Sequence, residues 1–356
     1  MAEQAEITKA LSAQSLDDIG RFFAENKGVT QEKCNHFAAR LLGLPVQPTL
    51  IQGTTSYTVM ATGGGSAVVQ FRSTKNLLNP RKLSLVKETY ERFVPNHEPC
   101  GELNGVPAFK IDYVDGVSAF LAMKSLHAAG SQLLKVALMD FASFIALAWH
   151  NRPPELSETS TRNNTHTCLR ADLELLYRGL PERFRPKVRS LLEELDGLFA
   201  ADWPMVVTHG DLVENNMHFD PNTGSLKGII DWNDAIVAPF GTSVVGIECL
   251  LGWYARKQRL WVDNAAELRE GFWAELARAV GPGFDRGRVS TAAQIGLFRT
   301  YGLVMGERGK VAVQEGSLSL QYLEDLCYNP LARAKPRELG LGKGVAAAMS
   351  GEQCIT

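Results

Sequence analysis

The sequence predicts an α+β protein in which a small antiparallel-sheet lobe precedes a larger, mainly helical lobe. Three observations lead there. The chain has 356 residues, which at about 150 residues per domain allows two bodies, or one large body with a smaller lobe. From Gln47 short β-branched runs separated by glycine turns take over. Beyond Asp115 and Gly116 apolar residues return at helical spacing for most of the remaining chain.

Residues 1–45 read as a helical extension. Leu11, Ile19, Phe22 and Phe23 recur at helical spacing, and Thr30 can cap a second helix carrying Phe37, Leu41 and Leu42. Residues 46–114 read as the sheet lobe. Its runs PTLIQG, SYTVMAT and SAVVQFR are strand-like, Gly63 to Gly65 form a hairpin turn, a helix covers LSLVKETYERFV, and VPAFKIDYV is a further strand. Residues 115–330 read as the helical lobe. Within it LLKVALMDFASFIALAW sets Leu134, Leu138, Phe141, Ile145 and Trp149 on one face, the stripe of a core helix. Its strand signals are confined to MVVTHG, NMHFD and LKGIIDW, while CLLGWYARKQRLW and AAELREGFWAELARAV read as helical. Residues 331–356, rich in Gly, Ala, Lys and Pro, read as a loosely held tail. A cleft between two such lobes is a common ligand site.

Composition limits what that cleft can bind. At 45% hydrophobic and 21% charged residues, the chain can bury a full core and is neither disordered nor a disulfide-stapled mini-protein. Thirty-seven basic against 39 acidic residues leave a net charge of -2, so no whole-molecule field collects nucleic acid or an anionic membrane. Phosphate chemistry must come from a local site. The six cysteines form no CxxC pair and read as reduced thiols. The N-terminus has no secretory pattern, and the longest uncharged stretch, Ala235 to Ile247, is too short and too rich in Pro and Gly to span a bilayer. A cytoplasmic protein without nucleic-acid or membrane partners is expected.

The densest chemical information lies in VVTHGDLVENNMHFDPNTGSLKGIIDW. Asn216 follows Asp211 by five residues, and Asp231 ends an apolar strand fifteen residues later. NMHFD and LKGIIDW, joined by PNTG, predict a hairpin that brings Asn216 close to Asp231. Hard oxygen ligands in this arrangement suit Mg²⁺, which takes one or two protein carboxylates plus phosphate oxygens. Phosphoryl transfer requires little else: one carboxylate to accept the proton of the attacking hydroxyl, and an Asn and Asp to hold metal against the nucleotide. Asp211 is the expected base, Asn216 and Asp231 the expected metal ligands, and His209 the residue whose ring organises the loop around Asp211.

THGDLVENN followed by GIIDW resembles the HGDxxxxN and IDW signatures of the aminoglycoside phosphotransferase and choline kinase family, with the flanks DLVENN and PFG most similar to fungal members. The resemblance covers roughly Pro48 to Gly252. It implies a bilobal protein-kinase-like fold, ATP (or GTP) with Mg²⁺, and transfer of the γ-phosphate to a hydroxyl of a small molecule. The connector Val114 to Gly116 sits where the family has its interlobe hinge, so the backbone around Tyr113 and Val114 would bind the adenine edge.

The sheet lobe departs from the family pattern. The loop expected to cover the phosphates is QGTTSYT, with Gly53 alone and Ser56 available to donate, and a plain hairpin turn is the competing reading. Where the third strand should carry a phosphate-binding cation, AVVQFR has Gln70, with Arg72 two residues on and on the same face. Arg72 either reaches the phosphates or lies on the surface of an edge strand. Its expected partner is Glu88, with Glu91 the alternative. Glu214, Trp232, Asp234 and Glu248 flank the motif and would suit an amine-bearing acceptor, or are ordinary surface residues. The rival to a working kinase is a degenerate or repurposed member of the fold, which binds nucleotide or acts on a natural product without phosphoryl transfer. The Gln70 substitution and the sparse loop favour that rival.

Overall fold

A computed structural model of the chain describes residues 2–53, 55–128, 132–255 and 258–328. The tail expected at 331–356 lies outside them. Two helices come first, α1 (Ala2–Glu25) and α2 (Gln31–Leu42). Thr30 caps α2 by accepting from the Lys33 amide, and Gly43 ends it in the left-handed region at φ +70°.

Five strands follow, β1 (Val46–Pro48), β2 (Ser56–Ala61), β3 (Ala67–Arg72), β4 (His97–Leu103) and β5 (Val106–Asp112), with α3 (Pro80–Tyr90) between β3 and β4. They form one antiparallel sheet in the order β1-β2-β3-β5-β4. β3 is therefore internal, which removes the edge-strand reading of Arg72. β4 was not foreseen because Pro99 and Gly101 interrupt its alternation; the register shifts between those two residues.

The period-2 alternation of the sheet sorts its side chains by face. Tyr57, Val59, Val69, Phe71 and Ala108 point to one side and are buried by Ile19, Phe22, Cys34 and Ala38 of α1 and α2. Phe23 meets Tyr57 edge-on at 5.0 Å, and the Tyr57 hydroxyl donates to Asn35 Oδ1 at 2.7 Å. The N-terminal helices are thus one layer of the sheet lobe. The opposite face turns Val68, Phe109 and Ile111 toward Leu78 and Leu83.

α3 is hydrogen-bonded to the helical lobe more than to the sheet. The Tyr90 hydroxyl donates to the Val207 carbonyl at 2.8 Å, Asn151 Nδ2 donates to the Thr89 carbonyl at 3.0 Å, and Lys82 Nζ donates to the Asn233 carbonyl at 2.8 Å.

The helical lobe begins after the connector 113–116 with β6 (Val117–Ser118), α4 (Ala119–Leu126), α5 (Leu133–His150), α6 (Thr159–Gly179) and α7 (Arg185–Glu194). Then come β7 (Met205–Thr208), β8 (Met217–Phe219), β9 (Leu226–Ile229), β10 (Ile236–Pro239) and α8 (Gly246–Leu251). The chain ends with β11 (Gly252–Ala255), β12 (Gln258–Trp261), α9 (Ala265–Val280), α10 (Arg286–Gly302), β13 (Leu303–Gly306), β14 (Gly309–Ala312) and α11 (Leu318–Tyr328). α5 runs through the core with Leu134, Leu138, Phe141 and Ile145 buried. Among the described residues it is the one helix long and apolar enough to cross a membrane, and half of it is buried inside the protein.

One stretch differs from the sequence reading. CLLGWYARKQRLW is not a continuous helix: α8 stops at Leu251, and β11 pairs antiparallel with β12, Gly252 opposite Trp261 and Tyr254 opposite Arg259. Gly252 has an extended backbone, and a Cβ there would collide with the Leu260 carbonyl oxygen. Large apolar residues at close spacing satisfy either period, so tertiary packing decides. The five cysteines among the described residues are free, as expected; Cys354 lies outside them.

Because Phe22 is 1% exposed beneath the sheet, Phe22→Ala is expected to destabilise the protein by about 3–5 kcal/mol. The urea midpoint measures this, and an unchanged midpoint would separate the N-terminal helices from the core.

Candidate active site

The site is built on the β8–β9 hairpin and the loop entering it from β7. Met217 pairs with Ile229, and one step further the Ile230 amide donates to the Asn216 carbonyl at 2.9 Å. The ladder thus carries Asn216 and Asp231 to the same end of the hairpin, as their spacing predicted. The Asn216 side chain closes the loop, its Nδ2 donating to the Asp211 carbonyl at 2.8 Å, and this orientation leaves Oδ1 as an acceptor.

His209 joins the two strands of the motif. Its Nδ1 accepts from the Asp211 amide at 3.0 Å, so Nε2 carries the hydrogen and donates to the Ile230 carbonyl at 3.0 Å. Burial holds the imidazole pKa below its usual value, which keeps the ring neutral and this tautomer intact. The ring packs edge-on against Trp232 at 4.7 Å, and Ser243 Oγ donates to the His209 carbonyl at 2.9 Å, backed by a hydroxyl contact with Thr208. Gly210 allows the loop to close, because a Cβ there would run into the Asp234 carbonyl oxygen.

Asp211 sits among like charges. Burial first, then the carboxylates of Asp231, Asp234 and Glu214, push its carboxyl up to about 6. Asp231 and Asp234 are themselves exposed. Asp231 is held in the left-handed region at φ +58°, unusual for a residue with a side chain. The turn it starts, Trp232–Asp234, is fastened by Trp232 Nε1 donating to the Ile229 carbonyl at 2.9 Å. Among the described residues no three His, Cys, Asp or Glu cluster closely enough to enclose a metal ion. Asn216 Oδ1 and the exposed Asp231 carboxylate are hard oxygen donors, the kind Mg²⁺ takes beside phosphate oxygens and water.

Across the cleft, Arg72 is 4% exposed at the end of β3. Its Nη1 donates to Gln70 Oε1 at 2.9 Å and its Nε to the Asn76 carbonyl at 2.9 Å. Burial lowers its pKa, while the carboxylates of Asp231 and Asp234 act in the opposite direction. The partner expected for it is absent: Glu88 is exposed and accepts from Ser84 at 3.0 Å, and Glu91 accepts from Asn151 at 3.2 Å. α3 turns Glu88 away because its buried side carries Val86, Thr89 and Tyr90, and Glu91 lies beyond the helix end at φ +51°.

The loop between β1 and β2 is stapled by Gln52, whose Oε1 accepts from the Thr58 amide at 2.9 Å and whose Nε2 donates to the Thr58 carbonyl at 2.7 Å. Gly53 is exposed in that loop, and Ser56 is 4% exposed at the start of β2. In the connector, the Tyr113 amide is already committed to the Ser66 carbonyl at 2.9 Å, and Val114 packs near Gly228. Gly116, at φ +88°, lies so close to the Phe219 carbonyl that a side chain would collide with it.

Of the residues expected on the acceptor side, Glu214 and Asp234 lie within electrostatic reach of Asp211. Trp232 and Glu248 do not belong there. Trp232 is 1% exposed and packs against Tyr90 and Phe144; Glu248 is held by Arg269 in a bidentate pair at 2.7 and 2.8 Å. Sequence reasoning missed Lys82, Ser243 and Gln52. Lys82 and Ser243 belong to no motif, and Gln52 opens the QGTTSYT loop without a role of its own there; each acts through a backbone partner distant in sequence or hidden in a loop.

Residues 55–288 match the family model described as the phosphotransferase enzyme family. The chain belongs to that family. Among solved structures it is similar to aminoglycoside phosphotransferase APH(3'')-Id from Streptomyces rimosus in complex with ADP and streptomycin, with 17% identity, a TM-score of 0.44, and coverage of 77% of this chain and 100% of that one. It is also similar to an aminoglycoside-3'-phosphotransferase of type VIII, with 20% identity, a TM-score of 0.45, and coverage of 73% and 97%. A Plasmodium vivax ethanolamine kinase matches with 10% identity, a TM-score of 0.45, and coverage of 85% and 81%. No curated protein matches.

Ionising Asp211 costs the folded state, since its folded pKa lies above the unfolded value of 3.8. In metal-free protein this lowers stability as pH rises from about 4 through 6. Asp211→Asn is expected to stabilise the protein at pH 8 by at most about 3 kcal/mol, seen as a raised Tm, with little change at pH 4. Equal Tm shifts at both pH values would contradict the buried-charge account.

Proposed function

We propose that this family member is an ATP-dependent phosphotransferase, with GTP as an alternative donor, that moves the γ-phosphate to a hydroxyl of a small, amine-bearing molecule. The observation that carries this reading is His209 tying the Asp211 amide to the Ile230 carbonyl, with Arg72 charged and buried across the cleft. Asp211 accepts the proton of the attacking hydroxyl, and its position among carboxylates makes it more basic than an exposed aspartate. Asn216 and Asp231 hold Mg²⁺, which when bound neutralises charge on the nucleotide phosphates. Arg72 meets those phosphates from the sheet side, where a guanidinium can donate to two oxygens at once. The loop around Gly53 and Ser56 covers them, and the connector meets the adenine edge with the Val114 amide, the Tyr113 amide being bonded to the Ser66 carbonyl. Glu214 and Asp234 face the acceptor, where two acids favour an amine beside the reacting hydroxyl.

Nucleotide binding is read by thermal shift with ATP or GTP, with and without Mg²⁺. A hundredfold excess over Kd is expected to stabilise the protein by about 2.7 kcal/mol, dependent on metal. No shift at millimolar nucleotide sinks the kinase reading, whereas a shift without ADP formation across a library of hydroxyl compounds favours a nucleotide-binding pseudokinase. Asp211→Asn is expected to keep nucleotide affinity and lower transfer by several orders of magnitude. Asp231→Ala is expected to weaken Mg²⁺-dependent binding, and an unchanged metal requirement would remove Asp231 from the ligands.

A further inference from the structure

Gln70 occupies the position where a phosphate-binding cation was expected, and its hydrogen bonds give it different work. It lies directly opposite Thr58 across the β2–β3 ladder and two residues before Arg72 on the same strand. Its Nε2 donates to Thr58 Oγ1 at 3.2 Å, while its Oε1 accepts from Arg72 Nη1 at 2.9 Å. Both ends of the amide are therefore used inside the protein. On its far side Thr58 is gripped by Gln52 through its backbone amide and carbonyl. A hydrogen-bonded chain thus runs from the β1–β2 loop through Gln52, Thr58 and Gln70 to the Arg72 guanidinium. The Asn76 carbonyl fixes Arg72 from its other edge, leaving three of the five guanidinium N–H groups uncommitted to these two partners.

We propose that Gln70 is a positioning residue, a neutral holder that aims the Arg72 guanidinium at the nucleotide phosphates and couples its position to the loop above them. This rests on the phosphotransferase reading and names a residue that reading does not need. The charge state of the holder matters. A carboxylate in its place would orient the guanidinium and also cancel much of its charge, whereas an amide oxygen orients it and leaves the full positive charge for an anion. In a molecule of net charge -2, with Asp211, Asp231, Asp234 and Glu214 gathered at the same cleft, that retained charge is what sets Arg72 against an approaching polyphosphate.

The test is calorimetric binding of ATP and of adenosine, which lacks phosphates, to the full chain with Mg²⁺. Gln70→Leu is expected to weaken ATP about tenfold and leave adenosine unchanged. Gln70→Asn, one methylene short of bridging Thr58 and Arg72, is expected to do the same with less risk to the sheet. Gln70→Glu keeps an oxygen on Arg72 and is still expected to weaken ATP, because it offsets the charge. Arg72→Gln sets the full loss, and the double variant Gln70→Leu/Arg72→Gln is expected to lose no more than Arg72→Gln alone. Wild-type ATP affinity in both Gln70→Leu and Gln70→Asn, or equal losses for ATP and adenosine, overturns the assignment while leaving the phosphotransferase reading standing. Absence of nucleotide binding by the wild-type protein overturns both.

Discussion

The neutral imidazole of His209 is the constraint on which the rest of the site depends. One nitrogen accepts from the Asp211 amide, the other donates to the Ile230 carbonyl, and burial keeps the ring uncharged so that both roles persist. The loop that carries the expected base and the strand that delivers Asp231 are thereby held as one unit. Everything around the ring serves that contact: Trp232 beside it, Ser243 on its carbonyl, and Gly210 letting the Asp234 turn close over the loop. A protonated imidazole would present a donor to the Asp211 amide, which is itself a donor, and the contact would be lost.

This arrangement concentrates negative charge. Asp231, Asp234 and Glu214 stand close enough to raise the cost of ionising Asp211, and Asp231 is further held in a left-handed backbone conformation. Strain and repulsion of this kind cost folding energy and persist where the surrounding structure over-determines them. Here the β8–β9 ladder, the buried Trp232 ring and the His209 bridge do so. The protein's cationic answer is small and local, Arg72 on the sheet, whose field reaches Asp231 and Asp234.

Much of this was legible in the sequence. The hairpin followed from PNTG between two apolar runs, and hairpin register then carries Asn216 and Asp231 to one end. The two lobes followed from the change of period at Asp115, and the core face of α5 from its heptad-like stripe. What could not be read has physical reasons. Glu88 and Glu91 are spaced one helical turn apart in the sequence, but α3 ends at Tyr90, and its buried face is decided by Val86, Thr89 and Tyr90 meeting another lobe. Trp232 and Glu248 carry chemistry-bearing side chains, and only tertiary packing assigns one to the core and the other to Arg269. The β11–β12 hairpin reads as helix because Trp253, Tyr254, Leu260 and Trp261 satisfy either period until Gly252 meets the Leu260 carbonyl.

The attachment of α3 has a consequence for how the lobes can move. Its hydrogen bonds run to Asn233, Val207 and Asn151, all in the helical lobe, while the sheet reaches it mainly through apolar contact at Leu83. Apolar contact slides more readily than hydrogen bonds break. A change of angle between the lobes would therefore carry the sheet, with α1 and α2 on its back, across a helix that stays behind. The chain crosses that boundary at three places, residues 73–79, 94–96 and 113–116, so the molecule would turn on three crossings rather than a single connector. Arg72 sits immediately before the first of them, and its distance from Asp231 becomes the coordinate along which opening and closing are felt.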